Sequence, residues 1–123
     1  MPMKKKILVI EDDPDISKTL HLSLKMEGFD VLIAKEGKQG LNMAKTESPN
    51  LLLLDLRLPG LPGEEICREL RKDPLYEKLP IIMLTAKDTD VDKVIGRVIG
   101  ANYYMPKPFD MEELLSRIHA LIG

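Results

Sequence analysis

Short aliphatic runs recur along this chain, each followed by a segment with helical spacing, and this alternation constrains the fold more than any other feature. Ile7-Leu8-Val9-Ile10 reads as a buried strand. Val31-Leu32-Ile33, the four leucines at 51–54, Ile81-Ile82-Met83-Leu84 and the shorter Asn102-Tyr103-Tyr104-Met105 read as four more. The run at 51–54 is apolar at every position, as expected of a strand covered on both faces. Between the runs lie helix signals. Asp13-Pro14 marks a helix start, with Asp13 as cap and Pro14 in the first turn. That helix runs to about Glu27, and Gly28 ends it. Helices over 40–45 and 64–72 follow. Val91, Val94, Ile95, Val98 and Ile99 share one stripe of a predicted fourth helix, which Gly100 ends. Asp110 opens a last helix, Glu113 stands at its capping-box position, and Leu114, Ile118 and Leu121 lie on its core face. Five strand–helix units with short links imply an α/β fold: a parallel sheet with right-handed crossovers and helices on both faces.

Size and composition narrow the class further. A chain of 123 residues fits one domain, 1–123, and can bury a core without disulfides. The net charge of -2 gives no strong field toward nucleic acid or an anionic membrane. Lys4, Lys5 and Lys6 read as a solvated lead-in to the first strand. The single cysteine, Cys67, forbids an internal disulfide and fits a reducing cytoplasm; on the inner face of the third helix it reads as a buried structural thiol. No run approaches the roughly 20 apolar residues that span a membrane.

In sheets of this kind ligands bind beyond the carboxyl ends of the strands. Glu11-Asp12-Asp13 follows the first strand, Asp55 the third, Thr85 the fourth and Lys107 the fifth. Carboxylates gathered there repel one another, by roughly 4 kcal/mol for each pair at about 4 Å and an effective dielectric near 20. A hard divalent cation offsets that repulsion, and Mg²⁺ takes carboxylate oxygens together with substrate phosphate. Beside such a cation, Asp55 could attack phosphorus, with Lys107 and Thr85 holding the phosphoryl oxygens. Taken singly, each residue has a plainer role: a loop acid at 12, a cap at 13, a strand-end hydroxyl at 85, a surface charge at 107. The ordered set is what points to phosphoryl chemistry.

At these residues the chain resembles the receiver domains of bacterial two-component systems, the CheY-like family. The resemblance rests on Ile7-Leu8-Val9-Ile10-Glu11-Asp12-Asp13, on Leu54-Asp55 followed by Pro59 and Gly63, on Leu84-Thr85-Ala86 and on Lys107-Pro108-Phe109. It implies a flavodoxin-like (βα)5 doubly wound parallel sheet with strand order 2-1-3-4-5. It implies Asp55 as phosphoacceptor. Glu11, Asp12, Asp55 and the backbone carbonyl of Arg57 form the set for Mg²⁺, or for Mn²⁺ in its place. Thr85 and Tyr104 are the switch pair, Lys107 is the phosphate-contacting lysine, and Lys107-Pro108 is a cis bond. The implied partner is a histidine kinase or a histidine phosphotransfer protein that docks on the first helix. Output runs through the predicted fourth helix, the fifth strand and the last helix, to an effector the sequence does not name, with pairing of two copies on phosphorylation. Nucleic acid and membrane are not among the expected partners. No enzyme activity is implied beyond self-phosphorylation and self-dephosphorylation.

Two positions depart from the family's pattern. Glu11 stands where many members have aspartate, so its contact to a metal is expected through water. Pro106 precedes Lys107 and removes an N–H. Arg57 and Lys87, two residues beyond Asp55 and Thr85, offer no acid or amide to orient a water, which predicts slow self-dephosphorylation. Leu22 and Met26 widen the apolar arc of the first helix beyond Ile16, Leu20 and Leu24, as either a wide core face or a docking face. His21 and His119 read as surface residues. The rival readings are a phosphorylation-independent docking module, an aspartate-nucleophile phosphohydrolase and a flavin module. The phosphohydrolase needs a second acid where Arg57 stands. The flavin module is disfavoured by an aromatic content of 4% and no Trp.

Overall fold

Each aliphatic run forms a strand, and all five join one parallel sheet in the order β2-β1-β3-β4-β5. The computed structural model describes residues 4–85 and 100–123. Its elements are β1 (Lys6–Ile10), α1 (Pro14–Met26), β2 (Asp30–Ala34), α2 (Gly37–Thr46), β3 (Leu51–Asp55) and α3 (Gly63–Lys72). A 3₁₀ turn at Pro74–Tyr76, β4 (Ile81–Thr85), β5 (Tyr103–Pro106) and α4 (Met111–Ile122) complete them. The helix predicted over 91–99, with Lys87 before it, lies outside the described residues.

The all-apolar strands are explained by two cores, one on each face of the sheet. Successive side chains of a strand point to opposite faces. Leu8, Ile10, Leu52, Leu54, Ile81 and Met83 therefore meet Ala44 of α2 and Ile66, Cys67 and Leu70 of α3. Ile7, Val9, Leu51, Leu53, Ile82 and Leu84 turn the other way, onto Leu20 and Leu24 of α1 and Leu114 and Ile118 of α4. Full burial of each such side chain contributes about 1.5–3 kcal/mol.

The helix ends follow local chemistry. Asp13 caps α1 through its side chain, which accepts the N–H groups of Asp15 and Ile16, and Pro14 occupies the first turn. Gly28 leaves α1 at φ +98°, a conformation open to glycine at no steric penalty. Asp110 caps α4 on the N–H groups of Glu112 and Glu113. Boundaries shift by a residue or a few where tertiary contacts intervene. The strand expected at 102 begins at Tyr103, because Asn102 is a bracket: its N–H donates to Ile81 O at 2.8 Å and its Oδ1 accepts the N–H of Ile81 at 2.8 Å. Helix α2 starts at Gly37, ahead of the expected Gly40. A Cβ at 37 would fall 1.9 Å from the Leu61 carbonyl oxygen.

Pro106 finds its explanation in the strand pairing. The N–H of Lys107 donates to Thr85 O at 2.5 Å, so Lys107 faces β4. Alternate residues of a strand face opposite neighbours, and the Pro106 nitrogen therefore faces away from β4, on the side where β5 has no strand partner among the described residues. A proline there breaks no ladder bond and blunts the edge against a further strand.

Candidate functional site

The carboxyl edge of the sheet gathers the residues that the strand-end pattern pointed to. Glu11 follows β1, Asp55 closes β3, Thr85 closes β4 and Lys107 follows β5. Glu11, Asp55 and Thr85 are buried, while Asp12 is exposed beside them. One carboxylate oxygen from each of Glu11, Asp12 and Asp55 lies within 4.8 Å of the others. The neighbouring β3–α3 loop is held close by Gly63, whose N–H donates to Leu56 O at 3.1 Å. A Cβ on Gly63 would sit 2.1 Å from the Asp55 carbonyl oxygen, so glycine is required for this approach.

Hydrogen bonds fix the two central side chains. Asp55 Oδ1 accepts the N–H of Arg57 at 3.1 Å, and its Oδ2 meets the Lys107 ammonium at 3.2 Å. The same ammonium donates to Glu11 Oε1. Glu11 Oε2 accepts the N–H of Asp13 at 3.1 Å. Burial pushes the Glu11 carboxyl up to about 7, against the pull of Lys107 and the Asp13 N–H. Burial also works against the Lys107 ammonium, but its contacts with Glu11 and Asp55 outweigh burial and raise it. Lys107 therefore remains charged at neutral pH. The Lys107-Pro108 bond is cis.

The donor set fits a hard divalent cation. All three converging side chains are carboxylates, and among the described residues a single ammonium pairs with two of them, Glu11 and Asp55. That excess of negative charge, offered by oxygen atoms alone, is what Mg²⁺ accepts.

Other expected positions fall around this centre. Tyr104 on β5 is half-buried against the α2–α3 core, in register with Met83. The Arg57 side chain is exposed. A cavity of about 600 Å³ opens beside Lys107, lined by Asp15, Ile16 and Thr19 of α1 and by Pro108, Phe109 and Met111. Cys67 is buried, and burial pushes its thiol up. Of the wide arc on α1, Leu22 and Met26 are exposed at 53% and 88%, so that part of the arc is not core. His119 is exposed but not isolated, since its ring meets Glu27 at 3.1 Å and packs on Phe29. The sequence did not reveal that Glu11 pairs with Lys107, 96 positions away; the one local signal was a glutamate in place of the shorter aspartate.

Comparison with known proteins agrees with this arrangement. Residues 7–119 match the response regulator receiver domain. Among solved structures, a chain described as a response regulator from Chloroflexus aurantiacus J-10-fl is 34% identical, with a TM-score of 0.92 over 97% of this chain and 98% of that one. The receiver domain of a sensor histidine kinase from Pseudomonas aeruginosa PAO1 is 31% identical, with a TM-score of 0.90 over 98% and 99% of the two chains. That structure is described with a magnesium ion coordinated in its active site cleft. A CheY-like receiver domain protein from Methanospirillum hungatei JF-1 is 31% identical, with a TM-score of 0.89 over 96% and 93%. The fold and the acid-lined sheet edge are those of a signalling receiver, and the chain belongs to the response regulator receiver domain family. No described helix is long and apolar enough to cross a membrane.

Proposed function

We propose that residues 1–123 act as one phosphoacceptor switch in a two-component signalling system, with Asp55 as the acceptor. The observation that carries this reading is the Asp55 carboxylate, buried at the end of β3 with the Lys107 ammonium 3.2 Å from it and two further carboxylates alongside. Asp12, Asp55 and the Arg57 carbonyl would hold Mg²⁺ or Mn²⁺ directly, and Glu11 through water. When bound, the cation supplies charge that offsets the carboxylates and the incoming phosphoryl oxygens.

An Asp55 carboxylate oxygen attacks the phosphorus of a phosphohistidine. The P–N bond breaks, its electron pair stays on the imidazole, and an acyl phosphate forms on Asp55. Lys107 pairs with a phosphoryl oxygen, and the Thr85 hydroxyl takes another. For a loose phosphoryl-transfer transition state, such positioning and charge are most of the catalysis. No enzymatic role is assigned beyond this self-modification and its hydrolysis. Movement of Thr85 toward the phosphoryl group frees space for Tyr104 to turn inward, which carries the state of the site to the β5–α4 face.

The donor is a histidine kinase or a histidine phosphotransfer protein. The cavity between α1 and the loop at 107–111 opens beside Lys107 and suits the docking of that donor, with exposed Leu22 extending the apolar surface along α1. The same reading puts the protein in the cytoplasm, where the lone thiol of Cys67 stays reduced. Phosphorylation-driven pairing of two copies is part of the reading and is checked by sedimentation before and after phosphorylation.

The test is intact mass after incubation with acetyl phosphate and Mg²⁺. A single phosphoryl adduct is expected, absent in Asp55→Asn and absent with EDTA. A folded protein that takes no adduct from acetyl phosphate or from a phosphorylated histidine donor would falsify the phosphoacceptor reading and leave a docking module of the same fold.

A further inference from the structure

Glu11 occupies the site differently from a simple metal ligand. Its side chain is fully buried at the end of β1, and its backbone N–H donates to Ala34 O at 2.9 Å, which fixes its root. Both carboxylate oxygens are engaged: Oε2 by the Asp13 N–H at 3.1 Å, Oε1 by the Lys107 ammonium. Asp12, next in sequence, is exposed. Lys107 is fixed from its other end as well. Its N–H donates to Thr85 O at 2.5 Å, and Pro106 and Pro108 restrict the backbone on either side.

We propose that Glu11 is a positioning residue for Lys107: its buried carboxylate holds the lysine ammonium over Asp55. The inference rests on the phosphoacceptor reading for its purpose and on the geometry for its content. Phosphorylation of Asp55 changes the charge and the shape of one partner of Lys107. Glu11 is untouched by that step, so it keeps the ammonium at the site in both states. An ammonium held by Asp55 alone would lose its anchor at the moment the phosphoryl group needs it. The length of the side chain matters here. Aspartate at 11 draws the carboxylate back by about 1.5 Å, one C–C bond, away from Lys107. Charge-assisted hydrogen bonds of this kind are the strong ones.

The test is proton exchange of the Lys107 ammonium, followed by ¹H–¹⁵N NMR on metal-free, ¹⁵N-labelled protein at fixed pH. Wild type is compared with Glu11→Gln, Glu11→Asp and Asp55→Asn, and the amide spectra report whether each variant is folded. Glu11→Gln is expected to speed exchange by roughly tenfold, equivalent to about 1.4 kcal/mol. Glu11→Asp should fall between it and wild type, and Asp55→Asn should stay within about twofold of wild type, a small fraction of a charge-assisted bond. Protection that follows Asp55 and ignores Glu11 overturns the proposal. The measurement uses no phosphodonor and no metal, so it separates two failures. If exchange follows Glu11 but neither acetyl phosphate nor a phosphorylated histidine donor gives an adduct, the phosphoacceptor reading falls and the positioning role stands. If the adduct forms and exchange ignores Glu11, only the positioning role falls.

Discussion

The two ends of the sheet handle polar groups in opposite ways. At the amino end, Arg71, Asn102 and Asn50 pair donors with acceptors. Arg71 donates to the carbonyls of Gly100 at 3.0 Å and Tyr76 at 2.8 Å and to Asn102 Oδ1 at 3.2 Å. Asn102 brackets Ile81, and Asn50 brackets Lys6 in the same manner, accepting its N–H at 2.7 Å and donating to its carbonyl at 2.7 Å. At the carboxyl end, three carboxylates converge, two of them buried, and among the described residues one ammonium pairs with those two. A polar network that only supports structure closes on itself. One that leaves charge in excess is built for something that arrives, and its upkeep works against stability.

Breaking either end should therefore separate function from stability. The largest effect is expected from Asp55→Asn, which should abolish the phosphoryl adduct in intact mass. Because it relieves repulsion among buried acids, it should leave the thermal midpoint unchanged or raise it. A fall of the midpoint would mean that the carboxyl end is structural after all. Arg71→Ala should do the reverse. Loss of its three hydrogen bonds should destabilise the fold by about 1–3 kcal/mol in urea unfolding, while adduct formation per folded molecule stays at the wild-type level.

Metal should sharpen the contrast. Mg²⁺ at about ten times its dissociation constant should stabilise wild type by about 1.4 kcal/mol. Asp12→Asn should lose most of that gain, and Arg71→Ala should keep it, as read from melts with Mg²⁺ and with EDTA. Arg57→Asn should speed decay of the acyl phosphate several-fold without moving stability, with the time course of intact mass as the measure. Unchanged decay would remove Arg57 as the cause of slow hydrolysis.

The smallest effect concerns His119, whose hydrogen bond to Glu27 raises it above its ordinary range. A folded-state value above the unfolded one means the pair stabilises fully below about pH 6.5. That contribution is lost as pH rises through the folded value. Both side chains are more than two-fifths exposed, so the loss should stay below about 0.5 kcal/mol. Urea unfolding at pH 5.5 and pH 8 should show it in wild type and not in His119→Gln.

Much of this was legible in the sequence because it is local. Aliphatic runs separated by caps and glycines define strands and helices through periodicities of two and 3.6, and Asp13, Pro14, Gly28 and Asp110 behave as their positions foretold. The acids, hydroxyl and lysine could be assigned to one edge because parallel crossovers bring every strand's carboxyl end to the same side. The arc on α1 was less legible, since apolar spacing does not say which residues a neighbour covers; Leu22 and Met26 turned out exposed.

What the sequence determined by itself is the alternation, the one-sided placement of Glu11, Asp12, Asp55, Thr85 and Lys107, and through them the family. What only the tertiary structure decided is pairing across distance: the Lys107 contact with Glu11, the bracket of Asn102 on Ile81, the outward nitrogen of Pro106, and the need for glycine at 63. The physical reason is the same in each case. Periodicity and capping act within a few residues, whereas hydrogen bonds and steric contact depend on which strand lies beside which, and no local pattern records that order.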